Sequence, residues 1–380
     1  MSNPILLAPG PVQLHPEVQK ILAHPMIHHR TPEFDQILSH ALSGLKFLFQ
    51  TKQPVLMHTS TGSGAMESAL VNLLNPGDEV LAIVSGKFGE RWAEMAEIFG
   101  GKVSRLNVAW GSGVHAEDVR TYLKNNPQIK IVMTQACETS TATVHDIKLL
   151  GEIVSETEAL LLVDGITAVG AYPMPMDAYK IDALIAGSQK GIMLPTGLSF
   201  ICLSEKAWAK AQTAKTPRYY FDLRKELKAN QNGETLFSSP VPLVKSLEYV
   251  LSMIQKTGFD LHFKEIKRRA DFTRAIGQKM GLTLYSKSPS DSVTAFNLPA
   301  DIKGVELRAH LEKKYFVTVM GGQDQAKGKI LRLGHMGYIL DADMINTMEL
   351  LALALADFNF NVNPADVRRM SEAWLKENPL

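Results

Sequence analysis

The chain has 380 residues, more than one compact hydrophobic core usually serves, so two domains or one large domain with an appendage are expected. Hydrophobic residues make up 45% and charged residues 21% of the sequence, and this ordinary balance excludes a disordered or fibrous protein. The 40 Lys and Arg residues against 39 Asp and Glu leave a net charge of +1, without the basic surplus that is typical of nucleic-acid binders.

Cys137 and Cys202 are the two cysteines, too few for a disulfide framework or a structural zinc site, and they favour a reducing compartment. The first ten residues carry no basic segment, so no signal peptide is predicted. No run of about 18 apolar residues occurs that could cross a membrane. We therefore expect a cytoplasmic protein that has neither a nucleic acid nor a membrane as its partner.

Short apolar segments alternate with amphipathic segments over the first two thirds of the chain. Strands are predicted at 79–84, 102–108, 130–134, 159–165, 183–188 and 198–204, and helices at 65–74, 90–100, 116–126 and 149–156. Such alternation predicts an α/β fold in which a mostly parallel sheet lies between helices. In these folds the loops at the carboxyl ends of the strands form the ligand site.

The pattern changes after about residue 240. A helix-rich stretch at 239–281, with a stop at Gly258, is followed by predicted strands at 292–299, 315–322 and 329–337 and predicted helices at 304–314 and 341–358. This pattern predicts an extended arm at 1–15, a large domain at 16–255 and a smaller α+β domain at 256–380.

A Gly- and Ser-rich turn joins a strand-like segment to a helix in HTSTGSGAMESALVNLL, residues 58–74. The free N–H groups of such a turn can donate hydrogen bonds to a phosphate. Gly62 and Gly64 would let the backbone approach the phosphate closely. Thr61 and Ser63 would add hydroxyl donors. An ordinary N-capped helix is the alternative interpretation of this segment taken alone.

Asp164 and Lys190 each follow an apolar, strand-like run, in VDGITAVG and AGSQKGIMLPTG. A buried Asp needs a partner, which could be the next turn or the protonated ring nitrogen of a cofactor. A desolvated Lys has a lowered pKa and can form a Schiff base, although a solvated loop lysine is the alternative. Phosphate cradle, Asp and Lys together match what pyridoxal 5′-phosphate (PLP) requires.

The sequence resembles the class V aminotransferases of PLP fold type I, close to the alanine–glyoxylate and serine–glyoxylate (serine–pyruvate) aminotransferases. The resemblance covers nearly the whole chain and lies in the segments 6–18, 59–70, 86–92, 138–141, 163–170, 187–191 and 332–337. It implies a large domain with a mostly parallel seven-stranded sheet, a smaller C-terminal domain, PLP as the cofactor, and a homodimer whose active sites use both subunits.

The resemblance also implies roles for individual residues. Lys190 matches the lysine that carries the cofactor, Asp164 the partner of the pyridine nitrogen, and Arg332 the arginine that binds the substrate carboxylate. The remaining matches are Thr61, Gly62, Ser63 and Gln189 for the phosphate, Phe88 for the stacked ring, Thr139 for the phenolic oxygen, Gly10 for the substrate border, and Thr235 and Ser238 for the phosphate of the neighbouring subunit. Relatives often have Tyr and Thr at the last two positions.

The implied reaction is transamination between a small amino acid, serine or alanine, and an α-keto acid, glyoxylate or pyruvate. A cysteine desulfurase is excluded because no cysteine follows Cys202 to act as its nucleophile. Ureidoglycine–glyoxylate aminotransferase and a partner-binding subunit without turnover remain alternatives. No metal site is expected, since Pro25 interrupts the helix that His24 and His28 would need to share.

Overall fold

The computed structural model describes residues 4–380. Its helices are α1 (Pro16–Leu22), α2 (Pro32–Phe49), α3 (Gly62–Leu73), α4 (Lys87–Ile98), α5 (Ala116–Asn125), α6 (Ile147–Ser155), α7 (Glu205–Thr213), α8 (Leu223–Gln231), α9 (Val241–Thr257), α10 (Phe259–Lys279), α11 (Gly304–Tyr315), α12 (Asp341–Asp357) and α13 (Pro364–Glu377). Its strands are β1 (Ile5–Leu6), β2 (Val55–His58), β3 (Glu79–Val84), β4 (Lys102–Asn107), β5 (Ile131–Gln135), β6 (Cys137–Glu138), β7 (Thr143–Val144), β8 (Leu160–Asp164), β9 (Ala183–Gly187), β10 (Ser199–Leu203), β11 (Thr283–Leu284), β12 (Val293–Asn297), β13 (Val317–Thr318), β14 (Met320–Gly321) and β15 (Ile330–Gly334).

A seven-stranded sheet in the order β2-β10-β9-β8-β5-β3-β4 forms the centre of the molecule. Strand β10 runs antiparallel to both of its neighbours and the other six strands run parallel to one another. The predicted mostly parallel sheet is confirmed. Its inner strands are apolar and buried along their whole length, as expected for a sheet that is covered on both faces.

Two hydrophobic clusters cover the faces of this sheet. Side chains of α2, α5, α6 and α9 pack on one face, and side chains of α3, α4, α7 and α8 pack on the other. The predicted helices at 65–74, 90–100, 116–126 and 149–156 are confirmed as α3 to α6, with ends that differ by a few residues. Because both faces are covered, the exposed ends of the strands are the places where a ligand can approach the sheet.

A four-stranded antiparallel sheet, β11-β12-β15-β14, lies in the C-terminal part and packs with α10 to α13. The single strand predicted at 315–322 is wrong, because β13 pairs with β1 while β14 pairs with β15. The sequence pattern also missed α13, although Pro364 at its first turn and Asn363 as its cap are start signals.

Helices α9 and α10 meet at Gly258, whose φ of +80° lies in the left-handed region that favours glycine. Val244 and Leu247 of α9 belong to the core of the large sheet, and Phe272 of α10 belongs to the core of the small one. The predicted stop at Gly258 is confirmed. The exact domain boundary between residues 255 and 256 falls in the last turn of α9 and stays a prediction.

The N-terminal arm connects the two sheets. Strand β1 pairs in parallel with β13, and the amide of Gly334 donates to the carbonyl oxygen of Leu7 at 2.7 Å. The chain then crosses to the carboxyl end of the large sheet. Within residues 4–380, no helix combines the length and apolar character that a membrane crossing requires.

Candidate active site

Strands β2, β3, β5, β8 and β9 all end at the same edge of the large sheet, because they run parallel to one another. The segments that follow them carry most of the residues that the sequence analysis selected. They are Thr61–Ser63 after β2, Phe88 after β3, Thr139 after β5, Asp164 at the end of β8, and Gln189–Lys190 after β9. Parallel order therefore gathers residues that are up to 130 positions apart in the sequence.

Helix α3 begins at this edge with Gly62. Thr61 is the residue before its first turn, and its side chain makes no capping hydrogen bond, which does not support the alternative of an ordinary N-capped helix. A Cβ atom on Gly62 would lie 2.5 Å from Cδ1 of Ile166, so a larger residue would require the Ile166 side chain to move. The amide of Gly64 donates to the carbonyl oxygen of Thr61 at 2.9 Å, so the amides of Gly62 and Ser63 are the first-turn donors that an anion can use.

Asp164 is 5% exposed and its Oδ1 accepts a hydrogen bond from the amide of Ile166 at 2.9 Å. Burial, with a smaller contribution from the charge of Glu138, raises the pKa of this carboxyl group to about 7, against the lowering effects of the Ile166 hydrogen bond and of Lys190. No cationic side chain in the described part of the chain forms an ion pair with it. A cationic atom of a ligand is the complement that this carboxylate lacks.

The amine of Lys190 lies in the loop that follows β9, where it donates a hydrogen bond to the carbonyl oxygen of Pro9 at 2.9 Å. Burial lowers the pKa of this amine to about 8, and the positive charge of Arg332 acts in the same direction. A larger fraction of the amine is therefore neutral, and nucleophilic, near neutral pH than in a solvated lysine. The solvated-loop alternative does not describe this residue.

Phe88 lies in the first turn of α4, and Glu138 holds that turn in place by hydrogen bonds to its backbone. The carboxylate of Glu138 accepts hydrogen bonds from the amides of Phe88 and Gly89, both at 3.0 Å. Glu138 is fully buried, and burial raises its pKa. Sequence reasoning missed this residue, although a carboxylate in the short segment that follows β5 was a signal at this end of the sheet.

Arg332 reaches the same edge from β15 of the small sheet. It is 5% exposed, and its guanidinium donates to the carbonyl oxygen of Gly321 at 2.9 Å and to that of Thr139 at 2.6 Å. Burial lowers its pKa to about 10. Within residues 4–380 no carboxylate forms an ion pair with it, so Arg332 does not join the two domains through an Asp or Glu. The hydrogen bonds of its guanidinium group go to backbone carbonyl oxygens instead.

A pocket of about 120 Å³ brings these residues together. Its lining consists of Thr61, Gly62, Ser63, Met66, Phe88, Arg91, Thr139, Asp164, Ile166, Thr167, Gln189 and Lys190. Arg91 and Thr167 were missed by sequence reasoning, although Arg91 follows Phe88 by one helical turn and therefore shares its face. The hydroxyl groups of Thr139 and Thr167 lie 2.6 Å apart.

Four of the predicted site residues lie outside this lining: Gly10, Thr235, Ser238 and Arg332. Arg332 is near enough for its charge to lower the pKa of Lys190. Gly10 lies in the N-terminal arm next to Lys190. A Cβ atom on Gly10 would lie 2.5 Å from Nζ of Lys190. Thr235 and Ser238 lie in the loop between α8 and α9 and line a different cavity, together with Met57 and Tyr220. Within one chain the structure does not bring these two residues to Asp164 and Lys190.

The sequence model of the family described as "Aminotransferase class-V" matches residues 16–339. The chain belongs to the class V aminotransferase family. As a member of this family it is a transaminase whose cofactor is pyridoxal 5′-phosphate. The pocket fits that cofactor, because Asp164 forms no ion pair in the described part of the chain and the first amides of α3 are available to a phosphate.

Three relatives match almost the whole length of this aminotransferase. The "Soluble hydrogenase 42 kDa subunit" of Anabaena cylindrica is 36% identical, over 94% of this chain and 95% of that protein. The L-aspartate–glyoxylate aminotransferase of Paracoccus denitrificans is 33% identical over 95% of this chain and 93% of that protein. The serine–glyoxylate aminotransferase of Methylorubrum extorquens is 31% identical over 99% of this chain and 96% of that protein.

The solved structure of ureidoglycine–glyoxylate aminotransferase from Bacillus subtilis superposes with a TM-score of 0.93 and 26% sequence identity, over 99% of both chains. The class V aminotransferase described above therefore has PLP fold type I, as the resemblance implied. The names of the proteins from Paracoccus denitrificans, Methylorubrum extorquens and Bacillus subtilis share glyoxylate and differ in the amino donor.

Proposed function

We propose that this aminotransferase transfers the amino group of serine or alanine to glyoxylate or pyruvate. The observation that carries the proposal is the buried guanidinium of Arg332, which has carbonyl partners and no carboxylate partner in the described chain. A buried cation without a counter-charge is costly, and an arriving carboxylate removes that cost. Donor and acceptor share one α-carboxylate, and the planar fork of Arg suits it.

When bound, PLP supplies an aldehyde that condenses with amines and a ring that accepts the electron pair of a broken Cα–H bond. In our proposal Lys190 would hold the cofactor covalently through its amine. Once the donor has taken its place, the same amine would take the proton from the donor Cα as a general base and return it to the former aldehyde carbon. Its lowered pKa, about 8, suits a group that must both take and return a proton near neutral pH. Lys190 repeats these proton transfers at the acceptor carbon in the reverse direction.

Asp164 keeps a proton on the pyridine nitrogen in this proposal. Its carboxylate is held by the Ile166 amide and has a raised pKa because of burial, so a positive charge placed beside it is strongly favoured. Phe88 provides a flat apolar surface for the ring. Thr139 offers a hydroxyl group to the phenolic oxygen, and Gly10 borders the substrate.

The phosphate is assigned to the N-terminus of α3. We propose that it accepts hydrogen bonds from the backbone and hydroxyl groups of Thr61, Gly62 and Ser63, and from the side chain of Gln189. These residues line the same pocket as Lys190 and Asp164, which supports the assignment.

We also propose that the active form is a homodimer in which a second copy of the chain brings its Thr235 and Ser238 to the phosphate. Both residues are absent from the pocket of their own chain, and the adjoining Tyr219 is 76% exposed. Sedimentation should show a dimer. A mixture of an inactive Lys190→Ala protein and an inactive Thr235→Ala/Ser238→Ala protein, refolded together, should regain activity, because a mixed dimer contains one intact site.

Complementation separates this arrangement from one in which each chain supplies its own site. In a mixed dimer with shared sites, both sets of changes fall in the same site, so the other site remains whole. If each chain supplied its own site, both sites of the mixed dimer would be damaged. If the mixture stays as inactive as its components while mixed dimers form, the sharing of sites is wrong.

The donor and acceptor are tested by single half-reactions with the purified holoenzyme. Serine, alanine and aspartate are added in turn and the loss of the cofactor's visible absorption band is followed, and glyoxylate, pyruvate and 2-oxoglutarate are then tested as acceptors. We expect the highest kcat/KM with serine or alanine and with glyoxylate. Aspartate should react at least about tenfold less well, because a second carboxylate must be desolvated without a dedicated cation.

Two other functions are favoured by specific names among the relatives. The structural likeness to ureidoglycine–glyoxylate aminotransferase makes ureidoglycine a second candidate donor, and turnover with ureidoglycine above that with serine and alanine would establish it. The name of the relative from Anabaena cylindrica favours a subunit that binds another protein. A protein that holds PLP but shows no half-reaction with any of these donors would support that alternative.

A further inference from the structure

Arg91 lies in the cofactor pocket without an assigned role. It follows Phe88 by one turn of α4, and its guanidinium carbon lies 4.9 Å from the centre of the Phe88 ring. Its Nη1 lies 3.5 Å from Oγ of Ser63, in the first turn of α3. In the part of the chain that the structure describes, no carboxylate forms an ion pair with it. The guanidinium is therefore directed to the phosphate end of the pocket.

The charge of the phosphate is not matched by the residues assigned to it so far. A phosphate monoester carries about −1.5 to −2 charges at pH 7, and a helix N-terminus supplies the equivalent of about +0.5. The side chains proposed as its ligands are all neutral: Thr61, Ser63, Gln189, Thr235 and Ser238. Among the described residues that line the pocket, Lys190 and Arg91 are the cations, and Lys190 is used at the aldehyde.

We propose that Arg91 is a phosphate-binding residue that donates a charge-assisted hydrogen bond to the cofactor phosphate. The stacked ring of Phe88 holds the guanidinium in place, so one turn of α4 serves both the ring and the phosphate of the cofactor. This inference rests on the proposed assignment of the α3 N-terminus to the phosphate. The same geometry would also let Arg91 bind the distal carboxylate of a dicarboxylic donor. The test below distinguishes the two roles.

The test compares PLP with pyridoxal, which has the same ring and aldehyde but no phosphate. Apoenzyme is prepared from the wild type and from Arg91→Gln, and the Kd of each compound is measured by fluorescence titration. We expect the Kd of PLP to rise by about 10- to 100-fold in the variant, as is typical for loss of a hydrogen bond to a charged group, and the Kd of pyridoxal to change less than about threefold.

Lys87→Gln is the matched control. Lys87 is a cation in the same turn of α4, but it pairs with Asp324 at 3.1 Å and does not line the pocket. Its loss should leave the Kd of PLP within about twofold of the wild-type value, since an exposed pair contributes little. Inorganic phosphate should compete with PLP less effectively in Arg91→Gln than in the wild type or in Lys87→Gln.

Several outcomes overturn the inference. Equal weakening of PLP and pyridoxal would mean that Arg91 acts on the ring through Phe88, and an unchanged Kd for PLP would remove it from the phosphate. A raised KM for aspartate with normal PLP binding would assign it to a distal carboxylate. If Arg91→Gln does not fold, Arg91→Lys is used in its place. We expect its Kd for PLP to rise by a few fold while its Kd for pyridoxal does not change.

Ser63→Ala separates this inference from the proposed function. If Ser63→Ala weakens PLP and not pyridoxal while Arg91→Gln affects neither, the phosphate assignment holds and the role of Arg91 is wrong. If neither variant distinguishes the two compounds, the phosphate assignment itself fails. The identity of the amino donor has no effect on these titrations.

Discussion

The amine of Lys190 donates a hydrogen bond to the carbonyl oxygen of Pro9 at 2.9 Å, across 181 residues of sequence. Gly10 follows at once with a φ of +136°, in a region that favours glycine. A Cβ atom there would lie 2.3 Å from Cδ and 2.5 Å from Nζ of the lysine. The arm thus closes one side of the pocket with backbone atoms, and a side chain at Gly10 would displace the reactive amine.

Gly10→Ala should therefore lower turnover by about 100-fold or more, because a misplacement of the reactive group by 1 Å can have an effect of that size. Steady-state kinetics measure this loss. Gly77→Ala is the control, since Gly77 also has a positive φ, of +89°, but has no atom within 4 Å of the added Cβ. It should lose about 1–2 kcal/mol of stability and keep its activity. Equal activities of the two variants would contradict the steric role of Gly10.

Covalent attachment of PLP to the apoenzyme should become faster as the pH rises through about 8, since only the neutral amine of Lys190 is nucleophilic. Arg332→Leu removes a positive charge that lowers this pKa, so the midpoint of the rate profile should move to higher pH. Stopped-flow absorbance between about pH 6 and pH 10 gives the profile. Arg332→Lys keeps the charge and should keep the midpoint. A profile that does not move in Arg332→Leu would show that this charge has no influence on Lys190.

Arg332→Lys should raise the KM for both the amino donor and the keto acid by about tenfold or more, because a single ammonium group cannot replace the two-pronged guanidinium. The absorption spectrum of the bound cofactor should not change. Measurement of both KM values separates this role from a structural one. Normal KM values together with a lower melting temperature would show that Arg332 acts only through its bonds to Gly321 and Thr139.

Asp164→Asn should stabilise the apoprotein at pH 8 and impair catalysis. The carboxyl group has a pKa of 3.8 when unfolded and about 7 when folded, because it is buried. The folded wild type therefore binds more protons between these values, and its free energy of unfolding falls as the pH rises from about 4 to about 7. Urea unfolding of the variant should show less of this fall, while turnover drops by roughly 100-fold or more. Unimpaired turnover would show that Asp164 has only a structural role, as the acceptor of the hydrogen bond from the Ile166 amide.

Glu138→Gln should weaken the binding of PLP through Phe88. One carboxylate oxygen accepts from the amides of Phe88 and Gly89, and the other accepts from the amide and hydroxyl groups of Ser140. The NH2 group of Gln must face one of these two sets of donors and cannot accept from it. The loss of these charged hydrogen bonds should cost about 1–3 kcal/mol of stability, measured by thermal melting. Glu94→Gln, on the exposed side of the same helix, should change neither stability nor PLP affinity. Wild-type values for Glu138→Gln would contradict its positioning role.

The sequence was sufficient for the parts of the molecule that depend on neighbouring residues. Strands β3, β5, β8 and β9 were predicted to within two residues, because each is a short apolar run that ends in a polar or small residue. Asp164 and Lys190 could be selected for the same reason, since each follows such a run directly. The resemblance then supplied roles for residues whose local sequence indicates nothing, such as Gln189 and Arg332.

What only the tertiary structure decided is which distant segments meet. The contact of Pro9 with Lys190, the support of Phe88 by Glu138, and the approach of Arg91 to Ser63 all join different loops or chain ends. None has a local signature, because each depends on the order of strands in the sheet and on the packing of helices against it. The order of strands is a property of the assembled core, so the contacts across its edge arise when the whole chain has folded.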